Sequence, residues 1–113
     1  MKTVIVDANK ILSALISTNG RSAEVLIQPN PRFRLISCHF LYVELFKHKE
    51  KIQQFSRLGE AALLDLLYAF FSHLELVNEA YIPFACWHEA NRLATNLDPK
   101  NIPYLALTIH TNG

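Results

Sequence analysis

The chain opens on an unbroken apolar run, Thr3-Val4-Ile5-Val6, that stops at Asp7. β-Branched residues without polar alternation suit a strand buried on both faces, as in a parallel sheet flanked by helices. Beyond Asp7 the period changes. Ile11, Leu12, Leu15 and Ile16 recur at helical spacing and predict a first helix. Asn19-Gly20 is suited to end it through a left-handed cap. Ser22 is placed to cap a short second helix over residues 23–27, which Pro29 and Pro31 terminate. Phe33-Arg34-Leu35-Ile36 reads as a second strand. Helices alternating with strands at this spacing predict βαβ units and a parallel sheet.

Ser37 can cap a long helix from about residue 39 toward residue 55, with Leu41, Leu45, Ile52 and Phe55 in its buried stripe and Glu44 beside them. Gly59 opens another helix over residues 60–72, whose Leu63, Leu64, Leu67, Phe70 and Phe71 are core material. Leu74-Glu75-Leu76-Val77 alternates and predicts a short edge strand. A helix over about residues 83–95 follows, with Pro83 in its first turn. The last helix starts near Ile102-Pro103, carries Tyr104, Leu105, Leu107 and Ile109, and ends at Asn112-Gly113. Without linkers, repeats or low-complexity tracts, residues 1–113 read as a single α/β domain.

Half of the 113 residues are hydrophobic, enough for a packed core. Eleven basic and ten acidic side chains leave a formal charge of +1, so any nucleic-acid surface must be a local patch. Cys38 and Cys86 lie in unrelated segments with no CxxC spacing, which points to a reduced, cytoplasmic setting. The N-terminus lacks the form of a signal peptide and no apolar run is long enough for a bilayer.

Several chemistries fail on spacing. His88-Glu89 begins like a zinc-protease helix, but Arg92 stands where the second His is required. Asn19-Gly20-Arg21-Ser22 lacks the length and the Lys of a phosphate-cradling loop. There is no Gly-x-Ser-x-Gly elbow and no active-site Cys context. Trp87, on the helix that carries Phe84 and Leu93, reads as core, with an interface role as the alternative.

Other positions keep two readings. Asp7 ends a strand where open α/β sheets present their ligands, so it is either a metal ligand or the N-cap of the helix that follows. Glu44 either faces water or lies half-buried beside Leu41 and Leu45 as a site carboxylate. Lys47, His48, Lys49 and Lys51 form a solvated face or, with Arg21, Arg32 and Arg34, a surface that draws a phosphate backbone. Glu50 interrupts that run.

Three blocks, in order, resemble the PIN-domain nucleases, a family that includes the toxins of many toxin–antitoxin pairs. They are Val4-Ile5-Val6-Asp7-Ala8-Asn9 to Leu12-Ser13-Ala14-Leu15, then Leu35-Ile36-Ser37 to Glu44-Leu45 with His48-Lys49-Glu50-Lys51-Ile52, then Leu97-Asp98-Pro99-Lys100-Asn101-Ile102-Pro103-Tyr104-Leu105-Ala106-Leu107. The resemblance spans nearly the whole chain. It implies a Rossmann-like, three-layer α/β/α fold with a small parallel sheet, and hydrolysis of RNA phosphodiesters by water activated on Mg²⁺ or Mn²⁺. By the same resemblance Asp7 is the central ligand, Glu44 a second ligand partly through water, and Asn9 orients Asp7 or a bound water. Such hard ions take oxygen ligands and relieve the repulsion between crowded carboxylates. Lys47, Lys49 and Lys51 become RNA contacts, and an antitoxin protein becomes an expected partner.

The chain departs from that pattern twice. Asn101 stands where the family usually carries its third acid; its amide oxygen can ligate a metal without supplying charge, and Asp98, one turn upstream, is the carboxylate placed to compensate. By their local sequence, however, Asp98 reads first as a turn residue before Pro99 and Asn101 as a helix cap ahead of Pro103. The family also continues into another strand beside the first, bearing a further Asp near a Trp-Thr dipeptide, whereas this sequence ends at Gly113. A C-terminally truncated fold of this kind leaves one edge of the first strand bare, which predicts a homo-oligomer. Both departures favour an alternative function, a catalytically inactive PIN-like domain serving protein or RNA binding and assembly.

Overall fold

In the computed structural model, which describes residues 2–17, 20–28, 30–96 and 98–112, the apolar strands assemble into a three-stranded parallel sheet. Strand β1 (Lys2–Ile5) leads into α1 (Ala8–Ile16) and α2 (Arg21–Ile27), and the chain returns as β2 (Phe33–Cys38). Three helices follow, α3 (Phe40–Lys47), α4 (Lys49–Ser56) and α5 (Glu60–Phe71), before β3 (Glu75–Val77). Helices α6 (Phe84–Leu93) and α7 (Ile102–Asn112) complete the order, each preceded by a single 3₁₀ turn, Glu79–Tyr81 and Pro99–Asn101. β2 is central, with Val4 opposite Leu35 on one side and Ser37 opposite Leu76 on the other.

The faces of β2 explain the layers. Leu35 packs with Val6, Ile11, Leu15, Leu26, Leu41, Leu63 and Phe70, beneath helices α1 to α5. Ile36 and Cys38 belong to a second cluster with Ile82, Ala90, Tyr104 and Leu107, beneath α6 and α7, against which Trp87 packs. β1 and β2 thus bury apolar side chains on both faces, as the runs Val4-Ile5-Val6 and Leu35-Ile36 predict, and the result is the three-layer α/β/α arrangement. Among the described residues no helix is long and apolar enough to cross a membrane.

β3 is an edge, as expected, and β1 is the other. The N–H groups of Lys2 and Val6 turn toward the β2 side, bonding the carbonyls of Arg32 and Ile36. The carbonyl of Ile5 therefore faces the open side, where the Lys10 ammonium donates to it at 3.2 Å. A cation on an exposed carbonyl is one of the devices by which edges resist pairing with another chain.

Several expectations are corrected. Ser37 is not a helix cap: β2 runs on through Cys38, and the buried Ser37 hydroxyl donates to the Val6 carbonyl at 2.6 Å, tying the ends of β1 and β2 together. The start of α3 is met instead from the β3–α6 connection. Glu79 Oε1 accepts from the His39 N–H and Oε2 from the Phe40 N–H, both at 2.9 Å. The long helix expected over residues 39–55 is two helices, broken at His48 (φ −101°, ψ 15°). The break carries Ile52 into the core and leaves Phe55 50% exposed. Leu64 is 58% exposed, since the inward face of α5 is taken by Leu63 and Phe70. Helix α2 begins at Arg21 behind an extended Gly20, so Ser22 sits in its first turn without capping it. The expected roles of Asn19 and Pro29 as breakers and of Gly113 as an end fall outside the described residues, as does Leu97.

Candidate active site

Asp7 leaves β1 with extended backbone (φ −94°, ψ 175°), and its Oδ1 accepts the Lys10 N–H at 3.1 Å. It is thus the N-cap of α1. Capping occupies one oxygen, and among the described residues no hydrogen bond reaches the other.

Glu44 shares the inward face of α3 with Leu41 and Leu45 and is only 9% exposed. A carboxylate so far from water needs a donor. It has one in Tyr104 of α7, itself 7% exposed, whose hydroxyl donates to Oε1 at 2.6 Å. No hydrogen bond reaches Oε2, and no buried side-chain oxygen among the described residues lacks a partner, so Oε2 opens to solvent. The Tyr104 ring packs against Phe40, with centroids 6.1 Å apart. Burial above all, then the bond to Glu44 and its charge, push the Tyr104 hydroxyl well above the ordinary tyrosine range, and the charge of Asp7 adds to them. Tyr104 thus joins the inward face of α3 to the first turn of α7, and Asp7 stands at the end of β1.

The electrostatics of this corner are one-sided. Among the described residues the ion pairs are Arg34–Glu75 and Arg92–Glu89, and no Lys or Arg pairs with Asp7 or Glu44. Each of the two carboxylates keeps one oxygen without a hydrogen-bond partner among the described residues, and such oxygens suit a hard divalent ion, since Mg²⁺ is bound through one or two carboxylates and keeps several waters. No group of three or more His, Cys, Asp or Glu side chains that could hold a metal occurs among the described residues.

Among the described residues, the remaining expected site residues make no hydrogen bond with Asp7 or Glu44. Asp98 is exposed and its Oδ1 accepts the Lys100 N–H at 3.1 Å, the turn-forming role open to an Asp before a Pro. Asn101 is exposed immediately before α7, and its side chain neither caps that helix nor bonds elsewhere among the described residues. Asn9 is exposed in the first turn of α1, and no hydrogen bond joins it to Asp7. Lys47, Lys49 and Lys51 are all exposed, on either side of the break at His48, and Lys49 Nζ lies 5.9 Å from the Phe46 ring centroid. Arg34 is taken up by a bidentate pair with Glu75 and leaves the basic surface. Arg21 and Lys10 border an apolar cavity of about 290 Å³ over Val4, Val6 and Leu35, which neither Asp7 nor Glu44 lines.

Sequence reasoning placed Tyr104 in the last helix and missed its part in the site. The signal was available: a Tyr on a buried face must find a partner for its hydroxyl, and a Glu on a buried face must find a donor. What the sequence does not say is that the two meet.

Compared with known proteins, residues 5–113 match the family model described as PIN domain. No curated protein and no solved structure matches.

Proposed function

Because the chain belongs to the PIN-domain family, we propose that it is a metal-dependent endoribonuclease. Members of that family are generally nuclease-like, bind RNA and use divalent metals. The observation that supports the reading is a buried Glu44 with one oxygen held by Tyr104 and the other without a partner, paired with no Lys or Arg among the described residues, together with Asp7 at the end of β1.

Asp7 and Glu44 are the residues that would hold Mg²⁺ or Mn²⁺. Bound there, the ion supplies a Lewis acid for the phosphodiester and lowers the pKa of its water. The protein's own part is positional. Asp7 is held by the first turn of α1, and Glu44 by Tyr104. The exposed ammonium groups of Lys47, Lys49 and Lys51 attract the phosphate backbone in a salt-dependent way, and Asn9 stands at the mouth beside Asp7. Asp98 and Asn101, both exposed ahead of α7, are the weaker contributors to the metal site. A toxin role, an antitoxin partner and a cytoplasmic setting rest on the family resemblance, and a homo-oligomer on the open edge of β1.

A second reading, an inactive PIN domain that binds protein or RNA, is favoured by the absence of any three-residue acidic group among the described residues. One assay separates the two. Labelled RNA is incubated with Mg²⁺ or Mn²⁺ and the unsubstituted chain, Asp7→Asn or Glu44→Gln. The nuclease reading expects each substitution to cost more than the roughly 10- to 100-fold usual for groups that only support a ligand. Equal cleavage by all three proteins removes both carboxylates from the mechanism. No cleavage by any, with RNA still bound, establishes the second reading, and a gain of cleavage in Asn101→Asp would then locate the defect.

A further inference from the structure

We propose that Tyr104 is a positioning residue of the metal site: its hydroxyl fixes Glu44 Oε1 and so reserves Oε2 as the oxygen offered to the cation. The inference rests on the reading of Asp7 and Glu44 as metal ligands and extends it to a residue sixty positions from Glu44 in the chain.

A glutamate side chain has three rotatable bonds, and a carboxylate that must first be ordered binds a cation less tightly than one already in place. Here the ordering is visible in the free protein. Leu41 and Leu45 hold the base of Glu44 in the core, and the 2.6 Å bond from Tyr104 holds its tip. The donor is itself immobilised. The Tyr104 ring is buried against Phe40, and α7 packs on the sheet through Leu107. A hydroxyl in this position also suits a site that must load and release a divalent ion. It satisfies one carboxylate oxygen without a positive charge, so it neither competes with the cation for the site nor repels it, as Lys or Arg would. The burial of Glu44 without an ion pair has a direct explanation on these terms.

The test is Mn²⁺ binding to the full chain, followed by the loss of the free-ion paramagnetic resonance signal, in the unsubstituted protein, Asp7→Asn, Glu44→Gln, Tyr104→Phe and the double variant Tyr104→Phe/Glu44→Gln. Unfolding in urea is measured alongside. Tyr104→Phe keeps the ring in its packing and removes only the donor. The expected result is a loss of Mn²⁺ affinity of about tenfold or more, in the range for groups that orient a ligand. In the Glu44→Gln background the same substitution should change affinity less than twofold, because the carboxylate it positions is gone. A merely structural role would lower the urea midpoint and leave affinity alone, or lower affinity equally in both backgrounds, and either outcome overturns the proposal. Binding that Asp7→Asn abolishes and Tyr104→Phe leaves intact refutes the proposal while sparing the metal site. No Mn²⁺ binding by the unsubstituted chain refutes the metal site and the proposal together.

A second measurement covers failure of Tyr104→Phe to fold. The other three tyrosines, Tyr42, Tyr68 and Tyr81, are exposed. In a chain carrying 3-fluorotyrosine, one ¹⁹F resonance is therefore shielded from a soluble paramagnetic agent, and it belongs to Tyr104. Diamagnetic Mg²⁺ should shift that resonance in the unsubstituted chain and leave it in place in Glu44→Gln; an unmoved resonance in a chain that binds Mg²⁺ overturns the proposal.

Discussion

Replacing Glu79 by alanine should destabilise the protein far more than a half-buried connector residue suggests. Helix α3 carries no side-chain cap of its own; the residue at its start, His39, is in helical conformation and its side chain bonds none of the first N–H groups. Those groups are orphans in any helix, and an anion near them gains from the helix dipole as well. Glu79 meets two of them, bridging His39 N–H and Phe40 N–H with its two oxygens at 2.9 Å each. A hydrogen bond to a charged group contributes about 1.5–3 kcal/mol, and water recovers part of that where the donor is exposed, as at His39. Taken together, Glu79→Ala should cost about 2–3 kcal/mol. With about 2 cal/mol/K of unfolding entropy per residue, this corresponds to a fall of roughly 10 °C in Tm. Glu79→Gln keeps one acceptor and turns an amide donor toward the other N–H, so it should lie about midway. Urea unfolding followed by circular dichroism measures all three. Lower midpoints with an unchanged slope are expected, in the order alanine, glutamine, glutamate. A cost below about 0.5 kcal/mol for alanine would show that water caps α3 as well as Glu79 does, and the argument fails.

Two further outcomes follow from titratable groups away from the site. Burial, and after it the charge of Glu79, pushes the Cys38 thiol up to about 11, while Cys86 is only partly covered. At pH 8 a disulfide reagent should label one thiol of the native protein readily and the second only after urea; two equally fast thiols would refute the burial of Cys38. The bond from Arg34, opposed by partial burial and aided by the charge of Arg34, holds Glu75 below the ordinary carboxylate range. A depressed value in the folded state stabilises above the unfolded value and is lost as pH falls through the folded one. The unsubstituted protein should therefore exceed Glu75→Gln in urea midpoint at pH 7 and converge with it as pH falls below that range, whereas a gap independent of pH would assign the effect to packing.

How much of this was legible depends on whether the cause is local. The strands were readable because Val4, Ile5, Val6 and Leu35, Ile36 are apolar without alternation, and that pattern is only stable between two layers of helices. Asp7 was readable as well, since a charge that ends such a run must sit at the C-terminal rim of the sheet, whatever the rest of the chain does. The edge position of β3 followed from the alternation of Leu74 to Val77. Even so, two local rules misled. Ser37 carries a good cap residue's hydroxyl, but β2 extends past it and the Val6 carbonyl accepts its hydrogen bond. Residues 39–55 keep a helical period, but a straight rod cannot follow the core around, so the chain breaks at His48.

Amino-acid order alone settled the element types, the approximate ends of the strands and the carboxylate at the rim, because periodicity and end chemistry act over a few residues. Tertiary packing alone decided that Glu44 lies against Tyr104 and that Glu79 caps α3. The partners in those two contacts are sixty and about forty residues apart, and the energy of a buried hydroxyl–carboxylate bond exists only once two helices have met. No spacing rule encodes that meeting; it is fixed by which apolar faces close over the sheet.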